Sequence, residues 1–105
     1  MNDGKRATDR VATNLPTRWQ GVSGAHEGRI EDLSPTGCFV NTTSTVDVGE
    51  MVSLLIRLPS DEWLPLRGKV VFFHQMTGFS VAFAINDEET RERLHELIAA
   101  QDHSR

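Results

Sequence analysis

Hydrophobic residues between positions 11 and 84 fall into short segments, and each segment is bounded by residues that favour turns. Within several segments apolar and polar residues alternate, which is the period of a half-buried β-strand. Many short strands separated by turn signals are typical of a β-barrel or a β-sandwich. The sequence therefore predicts an all-β fold of six or seven strands, and the segments expected to form them are 11–19, 27–33, 38–43, 51–58, 64–74 and 79–84.

Some of these segments carry more detailed expectations. Pro16 lacks a backbone N–H, so we expect an edge or a bulge in the first strand. Segment 51–58 is the most apolar of the chain and predicts a central strand. The unbroken apolar run 70–73 predicts burial on both faces. Residues 34–37 (Ser-Pro-Thr-Gly) predict a type I turn, because proline suits its second position and glycine its fourth.

The hydrophobic period changes to that of a helix after Asn86. Leu94, Leu97 and Ile98 fall at helical spacing. Asn86 and the glutamate three residues later resemble a capping box at a helix N-terminus. We therefore predict one amphipathic helix over roughly residues 87–100, which packs on the barrel and closes it.

The ends of the chain differ from its middle. Residues 1–10 are polar and are expected to form a flexible arm. Residues 11–100 are expected to form one domain, and residues 101–105 a disordered tail after it. The net charge of −4 argues against a DNA- or RNA-binding protein. Residues 1–18, however, hold four basic side chains against two acidic ones, whereas 86–105 hold three against six. An anionic ligand would be attracted to the N-terminal end.

Cysteine content and hydropathy bear on location. The chain has one cysteine, so it can form no internal disulfide, and nothing indicates an oxidising compartment. The first residues lack the apolar core of a signal peptide, and no apolar run approaches the roughly 18 residues that cross a membrane. We therefore expect a cytoplasmic protein without membrane insertion.

Residue types that usually carry catalysis do not cluster along the chain. The four histidines are scattered without metal-ligand spacing. Cys38 has no histidine near it in the sequence and is interpreted as a small buried apolar residue. The sequence has neither a phosphate-binding loop nor a nucleophile elbow. We therefore expect a binding protein rather than an enzyme, with no metal and no cofactor.

The first group of candidate site residues lies in the N-terminal arm. Arg6 and Arg10 are four residues apart, and Lys5 precedes them. A guanidinium is permanently charged, and its planar fork of donors fits two phosphate oxygens or the O6 and N7 edge of guanine. Taken alone, such arginines are usually only solvated charge. Lys5 is either a further site residue or an ordinary solvated lysine.

The second group, Asp32, Ser34 and Gly37, runs from the end of one strand through the turn into the next. Residues two apart in a strand share a face, so we expect Asp32 and Ser34 to point the same way. A carboxylate can accept from the N–H groups of guanine, and a hydroxyl can serve a phosphate or a base. Gly37 either lets the backbone approach a ligand or only satisfies the turn.

The two groups together resemble the motifs of the PilZ domain, which are Arg-x-x-x-Arg and, about twenty residues later, Asp-x-Ser-x-x-Gly. The resemblance covers roughly residues 5–100. It implies a six-stranded antiparallel β-barrel with a C-terminal α-helix, and binding of the bacterial second messenger cyclic di-GMP. It also implies that the two arginines hold the phosphates and a guanine, that the aspartate and serine contact a guanine edge, and that the glycine allows close approach.

The sequence also suggests how such a protein signals. We expect the arm to become ordered over cyclic di-GMP and to change the surface offered to an unidentified effector protein. The alternative is a PilZ-like adaptor that binds protein but no nucleotide. A single-strand nucleic-acid binder would need aromatic platforms in a basic groove, and the chain has no tyrosine and only two tryptophans. A homodimer and the number of ligands stay open.

Overall fold

The computed structural model describes residues 10–103. They form six β-strands and one α-helix: β1 Val11–Gly21, β2 Gly24–Ser34, β3 Gly37–Asn41, β4 Met51–Arg57, β5 Trp63–His74, β6 Gly78–Phe83 and α1 Glu88–His103. All six segments predicted from the hydrophobic pattern are strands, which confirms the all-β fold with one C-terminal helix.

The strands close into a barrel in the order β1-β2-β3-β6-β5-β4, with β4 pairing back to β1, and every neighbouring pair is antiparallel. Closure removes the free edges at which a sheet would expose unpaired backbone groups. Pro16 lies opposite Arg29 of β2, just before the ladder to β4, which runs Thr17–Gln20. The bulge expected at Pro16 is not there: the register of β1 with β2 shifts earlier, between Ala12 and Leu15.

The barrel interior is filled by every second residue of the strands. In β4, Val52, Leu54 and Ile56 are buried and the residues between them are exposed. The expectation of a central strand at 51–58 does not distinguish this strand, because in a closed barrel every strand has two neighbours. Trp19 lies in the core, where its ring meets the edge of Phe79 at a centroid distance of 4.9 Å.

The prediction that the run 70–73 is buried on both faces is wrong. Val70 is fully buried, but Val71 and Phe72 are each 51% exposed. The pairing of β5 with β6 shifts by one residue between Val70 and Phe72. Such a bulge interrupts the alternation, so that consecutive apolar side chains both reach the outer surface.

The helix begins and ends at different residues from those predicted. Its cap is Asp87, not Asn86, since the Asp87 carboxylate accepts hydrogen bonds from the Thr90 backbone N–H at 2.9 Å and the Thr90 hydroxyl at 2.8 Å. These two bonds, the backbone bond first, lower the pKa of Asp87. The prediction of a disordered tail over 101–105 is wrong for residues 101–103, which continue the helix because good helix formers precede them and no glycine or proline stops it. Residues 104 and 105 lie outside the described residues.

Helix α1 joins the barrel through its apolar stripe. Leu94 and Leu97 are buried in the same core as the strands, and Ile98 packs against that core. Among the residues described, no helix is long and apolar enough to cross a membrane.

Candidate functional site

The two groups of candidate residues meet at the start of β1. Arg10 directly precedes β1, and Asp32 lies in β2 opposite Ala12. The Arg10 Nη1 atom donates to the Asp32 Oδ1 atom at 3.1 Å. The Arg10 side chain is 63% exposed and the Asp32 side chain 32% exposed, so both charged groups remain accessible from outside the barrel.

The hairpin between β1 and β2 creates this meeting. Its loop consists of Val22 and Ser23, and from there the two long strands pair along their whole length. Residues 22 positions apart in the sequence are thereby brought side by side. Arg10, directly before the start of β1, therefore lies beside Asp32, near the end of β2.

The Ser34 hydroxyl is engaged in the turn that follows Asp32. Its Oγ accepts hydrogen bonds from the backbone N–H groups of Thr36 and Gly37, both at 3.2 Å, and lies 3.3 Å from the Thr36 hydroxyl. Ser34 is buried. The Ser34 oxygen takes the place of a backbone acceptor and holds the turn in its conformation. Ser34 therefore shapes the surface beside Asp32 indirectly.

Gly37 is required by strand packing rather than by turn conformation. A Cβ atom at this position would lie 2.2 Å from the carbonyl oxygen of Val81 in β6. The neighbouring Thr36 carbonyl accepts a hydrogen bond from the Phe83 N–H at 2.9 Å. The glycine thus lets β6 run close beside the turn that carries Ser34, a role that depends on a strand remote in the sequence.

A row that contains two phenylalanines continues from Asp32 around the outside of the barrel and was not predicted from the sequence. Asp32 pairs with Phe39 in β3, Phe39 with Ser80 in β6, and Ser80 with Phe72 in β5. Phe39 is half-buried. The signal available in the sequence was the position of Phe39 between two apolar residues, Cys38 and Val40, which line the interior. Paired side chains on one face lie close enough to touch a shared ligand.

Cys38, directly after Gly37, is not a reactive group in this site. It is buried, and burial raises the pKa of its thiol, with a smaller contribution from the negative charge of Asp32. Because the thiolate is the nucleophilic form, this environment suppresses its reactivity. The interpretation of Cys38 as a small core residue agrees with its position.

The remaining candidates, Lys5 and Arg6, lie outside the described residues. Within residues 10–103, no group of three or more histidine, cysteine, aspartate or glutamate side chains is arranged to hold a metal ion.

The family model of the PilZ domain matches residues 4–100 of the chain. The chain belongs to the PilZ family. Both the family and the six-stranded barrel predicted from the sequence are thereby confirmed. PilZ domains are generally receptors for cyclic di-GMP, and regulatory receptors rather than enzymes. A search among curated proteins finds no match.

Solved PilZ structures share the fold. The PilZ domain of CeSA from a cellulose-synthesizing bacterium superposes with a TM-score of 0.73 at 19% identity, over 90% of this chain and 98% of that one. The PilZ domain of Escherichia coli YcgR with c-di-GMP superposes with a TM-score of 0.73 at 11% identity, over 89% of this chain and 88% of that one. Bacillus subtilis MotI/DgrA, an inhibitor of motility, superposes with a TM-score of 0.65 at 17% identity, over 91% of this chain but only 50% of that one.

Proposed function

We propose that this PilZ domain binds cyclic di-GMP on the outer surface where Arg10 meets Asp32, with Arg6 and Lys5 contributing from the preceding segment. The observation that carries the proposal is the contact between the arginine and the carboxylate. It joins two sequence motifs that are otherwise 22 residues apart, on an accessible part of the barrel.

Each group has a chemical task in this proposal. The guanidinium of Arg10 offers paired donors to a phosphate or to the O6 and N7 edge of a guanine. The Asp32 carboxylate accepts from the guanine N1–H and N2–H groups. Ser34 and Gly37 act indirectly, because they hold the turn and the adjacent strand in place. The ring of Phe39, next to Asp32, offers a flat surface for the base.

The energetics favour exchange of partners at this site. An exposed ion pair such as Arg10–Asp32 contributes about 0–1 kcal/mol, because water and salt screen it. A hydrogen bond that involves a charged group contributes roughly 1.5–3 kcal/mol. A dianionic ligand that forms several such bonds can therefore displace the internal pair at little cost. The pair holds both groups beside the place where the ligand would bind.

We also propose that the ligand acts by ordering the segment before Arg10, which changes the surface presented to an effector protein in the cytoplasm. Contacts from Arg6 to the bound dinucleotide would fix residues 1–9 over the site. Hydrogen exchange would test this relay: amide protection of residues 5–10 should increase when cyclic di-GMP is added, and equal protection with and without ligand would contradict it.

Isothermal titration calorimetry tests the binding itself. The wild-type chain should bind cyclic di-GMP and prefer it to cyclic di-AMP and GTP. Arg10→Ala and Asp32→Asn should each weaken binding at least roughly tenfold, which corresponds to about 1.4 kcal/mol. Arg57→Ala is the matched control, since Arg57 also forms an exposed ion pair with an aspartate. Its Nη2 atom, at the end of β4, lies 2.9 Å from the Oδ1 atom of Asp61 in the following loop.

Two outcomes would overturn the proposal. If cyclic di-GMP gives no heat and causes no change in melting temperature, the chain is better described as an adaptor that binds only protein. If Arg57→Ala weakens binding as much as Arg10→Ala, the ligand does not bind where Arg10 meets Asp32.

A further inference from the structure

A second distinctive surface lies on the outside of β1, β4 and β5. The strand registers align its outward residues in three rows: Gln20–Ser53–Arg67, then Arg18–Leu55–Pro65, then Arg57–Trp63. We refer to these eight residues as the arginine face. Its middle strand, β4, lies opposite β3 in the closed barrel, and the face shares no residue with the proposed ligand site.

The arginine face is cationic although the whole chain is acidic. Arg18 and Arg67 form no ion pair with any residue in the described part of the chain. Arg18 instead lies over the ring of Trp63, 4.9 Å from its centroid. Glu27 lies across from Arg18 in β2, and Arg57 is neutralised by Asp61. Arg18 and Arg67 are thus without an ion-pair partner among the described residues, although Glu27 is close to Arg18.

The face is also grooved and apolar at its centre. A groove of about 590 Å³ runs between Arg18 and Arg67, over the exposed Leu55 and Pro65. A second groove of about 400 Å³ continues from Arg18 past Trp63 and Arg57. An apolar centre with arginine and tryptophan around it is the composition typical of protein interfaces.

The solvent side of α1 carries the complementary charge. Glu88, Glu92 and Glu96 follow one another at four-residue intervals on the side away from the buried leucines, and all three are exposed. Like charges at this spacing destabilise a helix. Of the three, only Glu88 forms an ion pair within the described residues, with Arg91 at 4.0 Å, and Arg91 and His95 lie between the glutamates. We call these three glutamates the acidic ridge.

The start of the acidic ridge adjoins the arginine face, because Asp87, directly before Glu88, lines the larger groove. Asn86, Asp87 and Thr90 line the larger groove together with Arg18 and Arg67. Farther along the helix, the Arg93 Nη2 atom donates to the Glu62 Oε1 atom at 3.3 Å, directly beside Trp63. Adjacent patches of opposite charge become self-complementary when a two-fold axis passes between them.

We infer that the arginine face binds a second copy of this chain, with the acidic ridge of each copy lying across the arginines of the other. Two symmetric contacts would then form at once, and each would pair Arg18 and Arg67 with glutamates while covering Leu55 and Pro65. The association does not depend on cyclic di-GMP, so its failure would leave the proposed ligand site intact.

Sedimentation equilibrium tests the association. The wild-type mass should rise with concentration from the monomer value of 11.7 kDa toward twice that value. Raising the salt from about 50 mM to about 500 mM should weaken the association at least roughly tenfold, since salt screens exposed charges. Arg67→Glu should weaken it by a similar factor. Lys69→Glu is the matched control, because Lys69 is exposed two residues along the same strand, outside the face.

A charge swap gives the decisive result. A variant with Arg18→Glu and Arg67→Glu should be monomeric, and so should one with Glu92→Arg and Glu96→Arg. An equimolar mixture of the two should associate again, because both contacts then join opposite charges. Circular dichroism verifies that each variant is folded. The inference is wrong if the wild type sediments as a monomer at every concentration, if Lys69→Glu acts like Arg67→Glu, or if the mixture stays monomeric.

Discussion

Gly37 offers a sharp test of how the site is built, because its missing side chain is what the packing of the barrel requires. In Gly37→Ala, the new Cβ would lie 2.2 Å from the Val81 carbonyl oxygen, whereas ordinary contact begins at 3.4 Å. The two backbones would have to separate by about 1 Å, and the Phe83 N–H to Thr36 carbonyl bond beside them would be strained. Overpacking of this kind costs typically 1–3 kcal/mol. We expect a loss of about 3 kcal/mol in the free energy of unfolding, because the contacted oxygen belongs to the backbone of β6 and cannot move away as a flexible side chain would.

Gly21→Ala is the matched control. There the added Cβ would lie 2.4 Å from Oε2 of Glu50, which is the end of a mobile side chain that can move away. The expected cost is about 1 kcal/mol, from the lost hydrogen bond between that carboxylate and the Val22 N–H. Urea denaturation followed by circular dichroism measures both variants. Equal stability of Gly37→Ala and wild type, or equal losses in the two variants, would refute this account of Gly37.

Three further predictions concern the helix and the core. Leu94→Ala should lower the free energy of unfolding by about 2–5 kcal/mol in urea titrations, because Leu94 is fully buried between α1 and the barrel; a loss below about 1 kcal/mol would mean that the helix is not docked as described. Because burial and Asp32 raise the pKa of the Cys38 thiol, its labelling by a disulfide reagent near pH 8 should be far slower in the native than in the denatured protein, and rapid native labelling would contradict its burial. The pKa of Asp87 is lowered in the folded state, so its stabilising effect is present above the unfolded pKa and is lost as pH falls through the folded pKa. When pH is lowered below about 4, the melting temperature of wild type should therefore fall more than that of Asp87→Asn, which keeps a capping oxygen without titrating. Identical dependence of the melting temperature on acid pH in the two proteins would contradict this.

Local sequence signals predicted the strands and the turn well. Each strand begins within three residues of its predicted start, and the Ser-Pro-Thr-Gly turn joins β2 to β3 as expected. The signals failed where a neighbouring element decides the outcome. The exposure of Val71 and Phe72 follows from a bulge opposite β6. Asp87 and Asn86 are both good caps, and only the helix start selects Asp87.

The site was predicted in part for the same reason. The motif spacing suggested that Arg10 and Asp32 act together, and the β1–β2 register brings them into contact. Other roles depend on neighbours that are remote in sequence. Gly37 is explained by Val81, and the proximity of Phe39 to Asp32 depends on the pairing of β2 with β3.

The most direct test of the central claim is a nuclear magnetic resonance titration that locates the ligand on the barrel. On addition of cyclic di-GMP, the backbone amide signals of Arg10, Asp32 and residues 34–37 should shift most, together with that of Phe39. The signals of Arg18, near the other end of β1, and of Trp63, at the start of β5, should stay unchanged. Shifts centred on Arg18 and Trp63, or no shifts at saturating ligand, would contradict the claim that cyclic di-GMP binds where Arg10 meets Asp32.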